Sequence, residues 1–261
     1  MSLSSLALAP PSGRDRPLII DDTDYATSVI RQGSEPPWTD PAALAGYFGQ
    51  VQALLNADAT WIDVQRWQQA HLQTHLSIVT AMAERSRTGY ALRTLLGETT
   101  LVDSFVTAAG TIAQTTRRSL VLRVPSPGAW LRWAHDVAGT SPDEIDPDDA
   151  DGAAMYIAEW LGKLGALPVD AIVLDTEGAP PTLAETLAEY TSISNVAAHF
   201  DWSVLLRRTD RIETGPAVSV GVLKPEFWCD GAEMPEEGVV ITTIPAGANP
   251  ELVLDKLKQM A

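Results

Sequence analysis

The feature that most constrains this chain is a set of short, unbroken apolar runs, each closed by a turn or a charged residue. Leu120-Val121-Leu122-Arg123-Val124 stops at Pro125 and Pro127, and Ala171-Ile172-Val173-Leu174 stops at Asp175. Val218-Ser219-Val220-Gly221-Val222-Leu223 and Val239-Val240-Ile241-Thr242-Thr243-Ile244 follow, and Ile193 to Phe200 is a weaker run. Runs of this length without polar alternation suit strands buried on both faces, the environment of a parallel sheet. Leu18-Ile19-Ile20, ending in Asp21 and Asp22, reads as an earlier strand.

Helical segments separate the runs. One is expected from Gly128 to about Val137. Asp146-Pro147 starts another, with Asp148, Asp149 and Asp151 in its first turns, an apolar face of Ala154, Ile157, Leu161 and Leu164, and Gly165 as its C-cap. Asn249-Pro250-Glu251 opens the last. From 41 to about 117 the pattern is mostly helical. Asp40-Pro41 starts it, Leu72, Leu76, Val79 and Met82 share one face, and Gly89 and Gly97 mark breaks. Residues 1–40, dense in proline, read as an irregular segment, and Met1 to Pro11 as a loose tail rather than a leader.

Alternation of strand and helix argues for βαβ units. The expected fold is α/β, a single domain over 41–261: a (β/α) barrel or barrel-derived parallel sheet with a helical N-terminal portion. An open doubly wound parallel sheet is the alternative. Five clear runs and one doubtful run fall short of the eight strands that close a barrel.

Composition narrows the function classes. The 261 residues carry 34 acidic and 18 basic side chains, a net charge of -16. Such a field repels phosphate backbones and anionic membranes, so the expected partner is a small molecule, with a protein partner or a second copy of the chain as further options. No apolar run approaches the ~20 residues of a membrane helix. Cys229 is the only cysteine, which rules out an internal disulfide framework and fits a reducing cytoplasm. The chain has no Walker A loop, dinucleotide fingerprint, Gly-x-Ser-x-Gly elbow or Cys-x-x-Cys, which lowers ATPase, dehydrogenase and hydrolase readings.

From 118 to 260 the order of segments resembles the barrel shared by uroporphyrinogen decarboxylase and cobalamin-independent methionine synthase. Val121 to Gly128 resembles its strand ending in a Pro/Gly turn, and Val173-Leu174-Asp175-Thr176-Glu177-Gly178 its next strand, with an acid at the barrel mouth. Asn195 to Asp201 stands where the methyltransferase members carry a His-x-Cys pair, and Asp201 replaces that cysteine. The resemblance implies a small-molecule enzyme, a transferase or a decarboxylase-like lyase, acting on an anionic organic substrate. The missing cysteine favours the alternative, a non-catalytic ligand- or partner-binding protein derived from the fold. A zinc site from His199, Asp201 and Cys229 is the metal option, since imidazole, carboxylate and thiolate all bind zinc.

Chemistry in such folds sits at the C-terminal ends of strands. That rule selects Asp175, Glu177 and His199 as proton carriers and Arg123 and Lys224 as substrate anchors, with Glu226 nearby. Trp202 is a candidate pocket wall. His71 and His75 are four residues apart, the spacing of a shared helix face, and are expected to flank the apolar stripe. The acids from Asp146 to Gly152 fail the register of a calcium loop and fit a helix N-terminus.

Overall fold

The computed structural model describes residues 2–142, 144–209, 211–215, 219–229, 234, 235 and 238–260. The first half comprises α1 (Leu3–Leu8), β1 (Leu18–Asp21), α2 (Thr23–Arg31), α3 (Pro41–Leu55), β2 (Thr60–Asp63), α4 (Val64–Thr74), α5 (Leu76–Met82), α6 (Tyr90–Gly97) and α7 (Thr99–Thr116). The second half comprises β3 (Leu120–Pro125), α8 (Pro127–Ala138), α9 (Pro147–Gly162), β4 (Val169–Asp175), α10 (Thr191–His199), β5 (Ser203–Arg207), β6 (Ile212–Thr214), β7 (Val220–Leu223), β8 (Val239–Thr243) and α11 (Pro250–Gln259).

The fold is α/β with mostly parallel strands. One sheet has the order β2-β3-β4-β5-β6 and the other β1-β8-β7; among the described residues only the β5–β6 pairing is antiparallel. A parallel bridge from Ile19 to Ala59 joins β1 to the start of β2, and β6 lies beside β7.

The two-residue period of a strand explains why the apolar runs are unbroken. Ile19, Trp61, Val121, Ala171, Val173, Leu205, Val239 and Ile241 point to one side and form an inner cluster. Their neighbours Leu18, Ile20, Ile62, Leu120, Leu122, Ile172, Leu174, Leu206 and Val240 point to the other side and meet the helices in a larger core. The runs of β3, β4 and β8 are almost wholly apolar because both faces are buried, whereas β7 is only partly buried and Val222 is exposed.

Several helix starts follow from local chemistry. Asp40 accepts hydrogen bonds from the amides of Ala42 and Ala43, with Pro41 at the first helical position. Asp146 and Asp149 form a reciprocal capping box on α9, so these acids are a helix N-terminus. Asn249 caps α11 by accepting from the amides of Glu251 and Leu252.

The structure corrects several expectations. Residues 1–40 are not an irregular appendage. β1 pairs with β8, and α1 inserts Leu3 and Leu6 into the inner cluster, with the Leu3 amide donating to Ser203 Oγ at the start of β5. The linker to β1 is held by buried Asp58, which accepts from the amides of Ser12 and Leu18. The helical portion contains a strand, β2, and the weak run from Ile193 to Phe200 is helix α10. Strands β5 and β6 had no counterpart among the expected runs. Val218, placed at the head of the run that ends at Leu223, lies outside the described residues. Helix α4 ends at Thr74, so Leu72 and Leu76 belong to different helices, and Leu76 is exposed. His75 caps α4 instead of continuing its face. Gly165 is not a left-handed cap: α9 ends at Gly162, and a Cβ at Gly165 would stand 2.3 Å from the Phe200 ring.

Candidate functional site

Five strands deliver a charged residue at or near their C-terminal ends: Asp21 on β1, Asp63 on β2, Arg123 on β3, Asp175 on β4 and Arg207 on β5. Register sets opposite charges side by side. Asp63 is the cross-strand partner of Arg123, and Asp175 that of Arg207. The guanidinium of Arg123 donates through Nη1 to Asp63 Oδ2 at 2.5 Å, through Nε to Asp175 Oδ2 at 2.7 Å, and through Nη2 to Glu177 Oε2 at 2.9 Å. Arg207 donates through Nε and Nη2 to Asp175 Oδ2 at 2.9 and 2.5 Å and through Nη1 to Asp21 Oδ2 at 2.7 Å. Its guanidinium lies 5.3 Å from the centre of the Trp61 ring, an apolar support beneath the charge. The result is an arc, Asp63–Arg123–Asp175–Arg207–Asp21.

Asp175 and the two arginines hold one another ionised. Burial alone would raise the Asp175 pKa, but the Arg207 and Arg123 charges and the Glu177 amide outweigh it and hold the carboxylate below its usual range. Burial alone would lower both arginines, and the facing carboxylates push both above the ordinary guanidinium value. Asp175 therefore holds the arc together and does not carry protons near neutrality. Glu177 differs. Its side chain is 79% exposed, and among the described groups its carboxylate is held by one contact, Arg123 Nη2.

The arc forms the floor of a cavity of about 460 Å³. Five arginines (Arg66, Arg123, Arg207, Arg208, Arg211) and five acids (Asp21, Asp24, Asp63, Asp175, Glu177) line it, with Thr242 and Thr243 of β8 and apolar Leu223 and Ile241 opposite. The loop that carries Glu177 is pinned further along by buried Glu185. That carboxylate accepts from Ser126 Oγ at 2.6 Å, the Gly128 amide at 3.0 Å and Tyr190 Oη at 2.5 Å, which ties the loop to the N-terminus of α8.

The candidates from the sequence fall into two groups. Arg123, Asp175 and Glu177 meet in this cavity. His199 does not: it is exposed at the C-terminus of α10, ahead of β5, at the opposite end of the strands from Arg207. Trp202 is buried at that same end, stacked on Phe200 with 4.8 Å between ring centres, and serves the core instead of a pocket. Asp201 occupies the left-handed turn between them, with φ 59°. Lys224 and Glu226 are exposed after β7 and do not line the cavity. Cys229 is exposed beyond the C-terminal end of β7, so the zinc set of His199, Asp201 and Cys229 is split between the two ends of the strands. Among the described residues no three His, Cys, Asp or Glu side chains are grouped to hold a metal ion. No helix of the described residues is long and apolar enough to cross a membrane.

Asp21, Asp63 and Arg207 are the site residues that sequence reasoning missed. The signal was present, since each closes a short apolar run: Leu18-Ile19-Ile20, Trp61-Ile62 and Val204-Leu205-Leu206. Compared with known proteins, the chain matches no family model, no curated protein and no solved structure.

Proposed function

We propose that this protein is an enzyme of small-molecule metabolism that takes an organic anion, carboxylate or phosphate, into the cleft above the arginine–carboxylate arc. We further propose that its strands close into a (β/α) barrel of the kind shared by uroporphyrinogen decarboxylase and cobalamin-independent methionine synthase. Support for the barrel is the near-sequential order of the strands, the bridge between β1 and β2, and an inner cluster fed by both sheets. The observation that carries the function is the cleft itself, with Arg123 and Arg207 fixed at the C-terminal ends of neighbouring strands.

The arrangement suggests a division of labour. Arg123 Nη2 is the one donor of the arc spent on an exposed carboxylate. A substrate anion arriving there displaces Glu177. Glu177, released from its cation, then stands beside the bound anion as the candidate proton carrier of the reaction. Asp175, held by both arginines, stays ionised and keeps them oriented. This chemistry favours a lyase-type reaction with proton transfer over thiol activation by zinc, because the described cleft lining includes no Cys or His. A non-catalytic binding protein is the second reading, favoured by the degree to which the arc neutralises itself.

Calorimetric titration with succinate and with inorganic phosphate tests both. The first reading expects binding to the wild type at the Arg123 end of the arc. It expects Glu177→Gln to bind up to about fivefold tighter, since an exposed ion pair of about 1 kcal/mol no longer competes. Binding that Glu177→Gln leaves unchanged takes Glu177 out of the site and supports the second reading. No binding of either anion sinks the anion site altogether.

A further inference from the structure

A second cavity, of about 680 Å³, adjoins the first, and Asp24 and Arg66 are walls of both. We propose that the two form one elongated site, and that the second takes an uncharged, polyhydroxylated portion of the ligand whose anionic end lies on the arc. This rests on the anion-binding reading above.

The partition between the cavities is built to yield. Arg66 Nη2 donates to Asp24 Oδ1 at 2.5 Å, but the two side chains are 34% and 58% exposed, and pairs of that exposure are weak. Behind the partition Arg66 Nε stands 3.8 Å from Asp63 Oδ2, so opening it leaves Arg66 tethered to the arc. Asp24 lies in the first turn of α2 and Arg66 in the first turn of α4, and the elongated site requires a side-chain rotation at one of them.

The chemistry of the second cavity differs from that of the first. Gln69 and Gln73 lie four residues apart on α4, so both carboxamides present on one face. Among the described residues neither amide is engaged by another protein group. Thr27 Oγ1 donates to the Thr23 carbonyl and also meets Tyr47, and Thr74 Oγ1 donates to the His71 carbonyl and also meets His75 Nδ1, so the two glutamine amides remain as polar groups of this lining without a protein partner among the described residues. Apart from the shared pair, Glu35 is the one acidic or basic side chain among the described residues of the lining. A second anion is repelled there. A chain of hydroxyl groups, each both donor and acceptor, matches amides of this kind.

The test compares methyl phosphate (head alone), D-sorbitol 6-phosphate (hydroxylated tail) and hexyl phosphate (apolar tail) by calorimetric titration against the wild type, Gln73→Trp and Gln69→Trp. Both substituted positions are exposed on α4, and circular dichroism checks that the variants are folded. The proposal expects sorbitol 6-phosphate to bind at least tenfold tighter than methyl phosphate, and hexyl phosphate to show no such gain. It expects either tryptophan to erase the gain and leave the methyl phosphate affinity unchanged. Equal affinity of the polyol and methyl esters, an equal gain for hexyl phosphate, or a gain that survives both tryptophans overturns the elongated site and leaves the anion site standing. Failure of all three probes to bind overturns both.

Discussion

Replacing Arg207 by Met tests whether the arc is a structural element or a set of screened surface charges. The side chain is 18% exposed, and its guanidinium makes three hydrogen bonds, two to Asp175 and one to Asp21. Methionine fills much of the same volume over Trp61 but leaves Asp175 with Arg123 as its remaining cation and strips Asp21 of its guanidinium partner. Breaking a largely buried pair by removing one partner costs about 3–5 kcal/mol. With a urea slope of about 3 kcal/mol per molar for a chain of this size, the unfolding midpoint falls by roughly 1–1.7 M. The pH dependence moves as well. The folded Asp175 pKa lies below its unfolded value, so its stabilisation is complete above the unfolded carboxylate pKa and is lost as pH falls through the folded one. Removing Arg207 raises the folded pKa, and acid unfolding begins at a higher pH. Arg207→Lys restores the charge but not the planar fork that reaches Asp175 and Asp21 through three separate nitrogens, and recovers part of the loss. A destabilisation below about 1 kcal/mol with an unshifted acid limb refutes the reasoning.

Two further predictions concern positions away from the cleft floor. Asp22 is buried, and desolvation together with the neighbouring Asp21 charge raises its pKa well above the usual value; its side chain makes no capping bond to α2. The unfolded chain ionises this group first, so it costs stability as pH rises past the unfolded pKa. Asp22→Asn therefore raises the Tm at pH 7, and the gain fades toward pH 4; a lower Tm at pH 7 contradicts the assignment. At Gly165 an added methyl group meets two Phe200 ring carbons at 2.3 and 2.5 Å, and a packed ring yields less readily than an aliphatic chain. Gly165→Ala should cost about 1–3 kcal/mol in chemical unfolding, and Gly165→Ala with Phe200→Leu should recover part of it. A neutral Gly165→Ala rules out the close packing.

What was legible followed from burial. β3, β4 and β8 read clearly because their residues alternate between two apolar environments, so most positions are apolar and the run stands out. β2 did not, because Trp61-Ile62 is too short to show a period and lies between helices α3 and α4. Ile193, Val196, Ala197 and Phe200 recur at i, i+3, i+4 and i+7, and that helical spacing was available in the segment read as a weak strand. Its burial agrees, with Ile193 and Ala197 inside and Asn195 and Ala198 outside. α1 carries only Leu3 and Leu6 on its buried face, and a six-residue helix is stabilised by its contact with the inner cluster, which no local pattern announces.

The cleft divides along the same physical line. Arg123 and Asp175 were found because they belong to long apolar runs, and His199 was misplaced because its run was not a strand. Asp21 and Arg207 are 186 positions apart and touch only because β1 and β5 point the same way and end at the same level. Pairing over that separation is a property of the tertiary arrangement and has no trace in local sequence. The residue type that closes each strand does have one. Aspartate, aspartate, arginine, aspartate and arginine terminate or nearly terminate five parallel strands, and any topology that gathers those ends must pair them, since burying like charges alone is far costlier. The composition of the cleft floor was therefore written at the strand ends before its geometry was known. The order in which its charges alternate required the register.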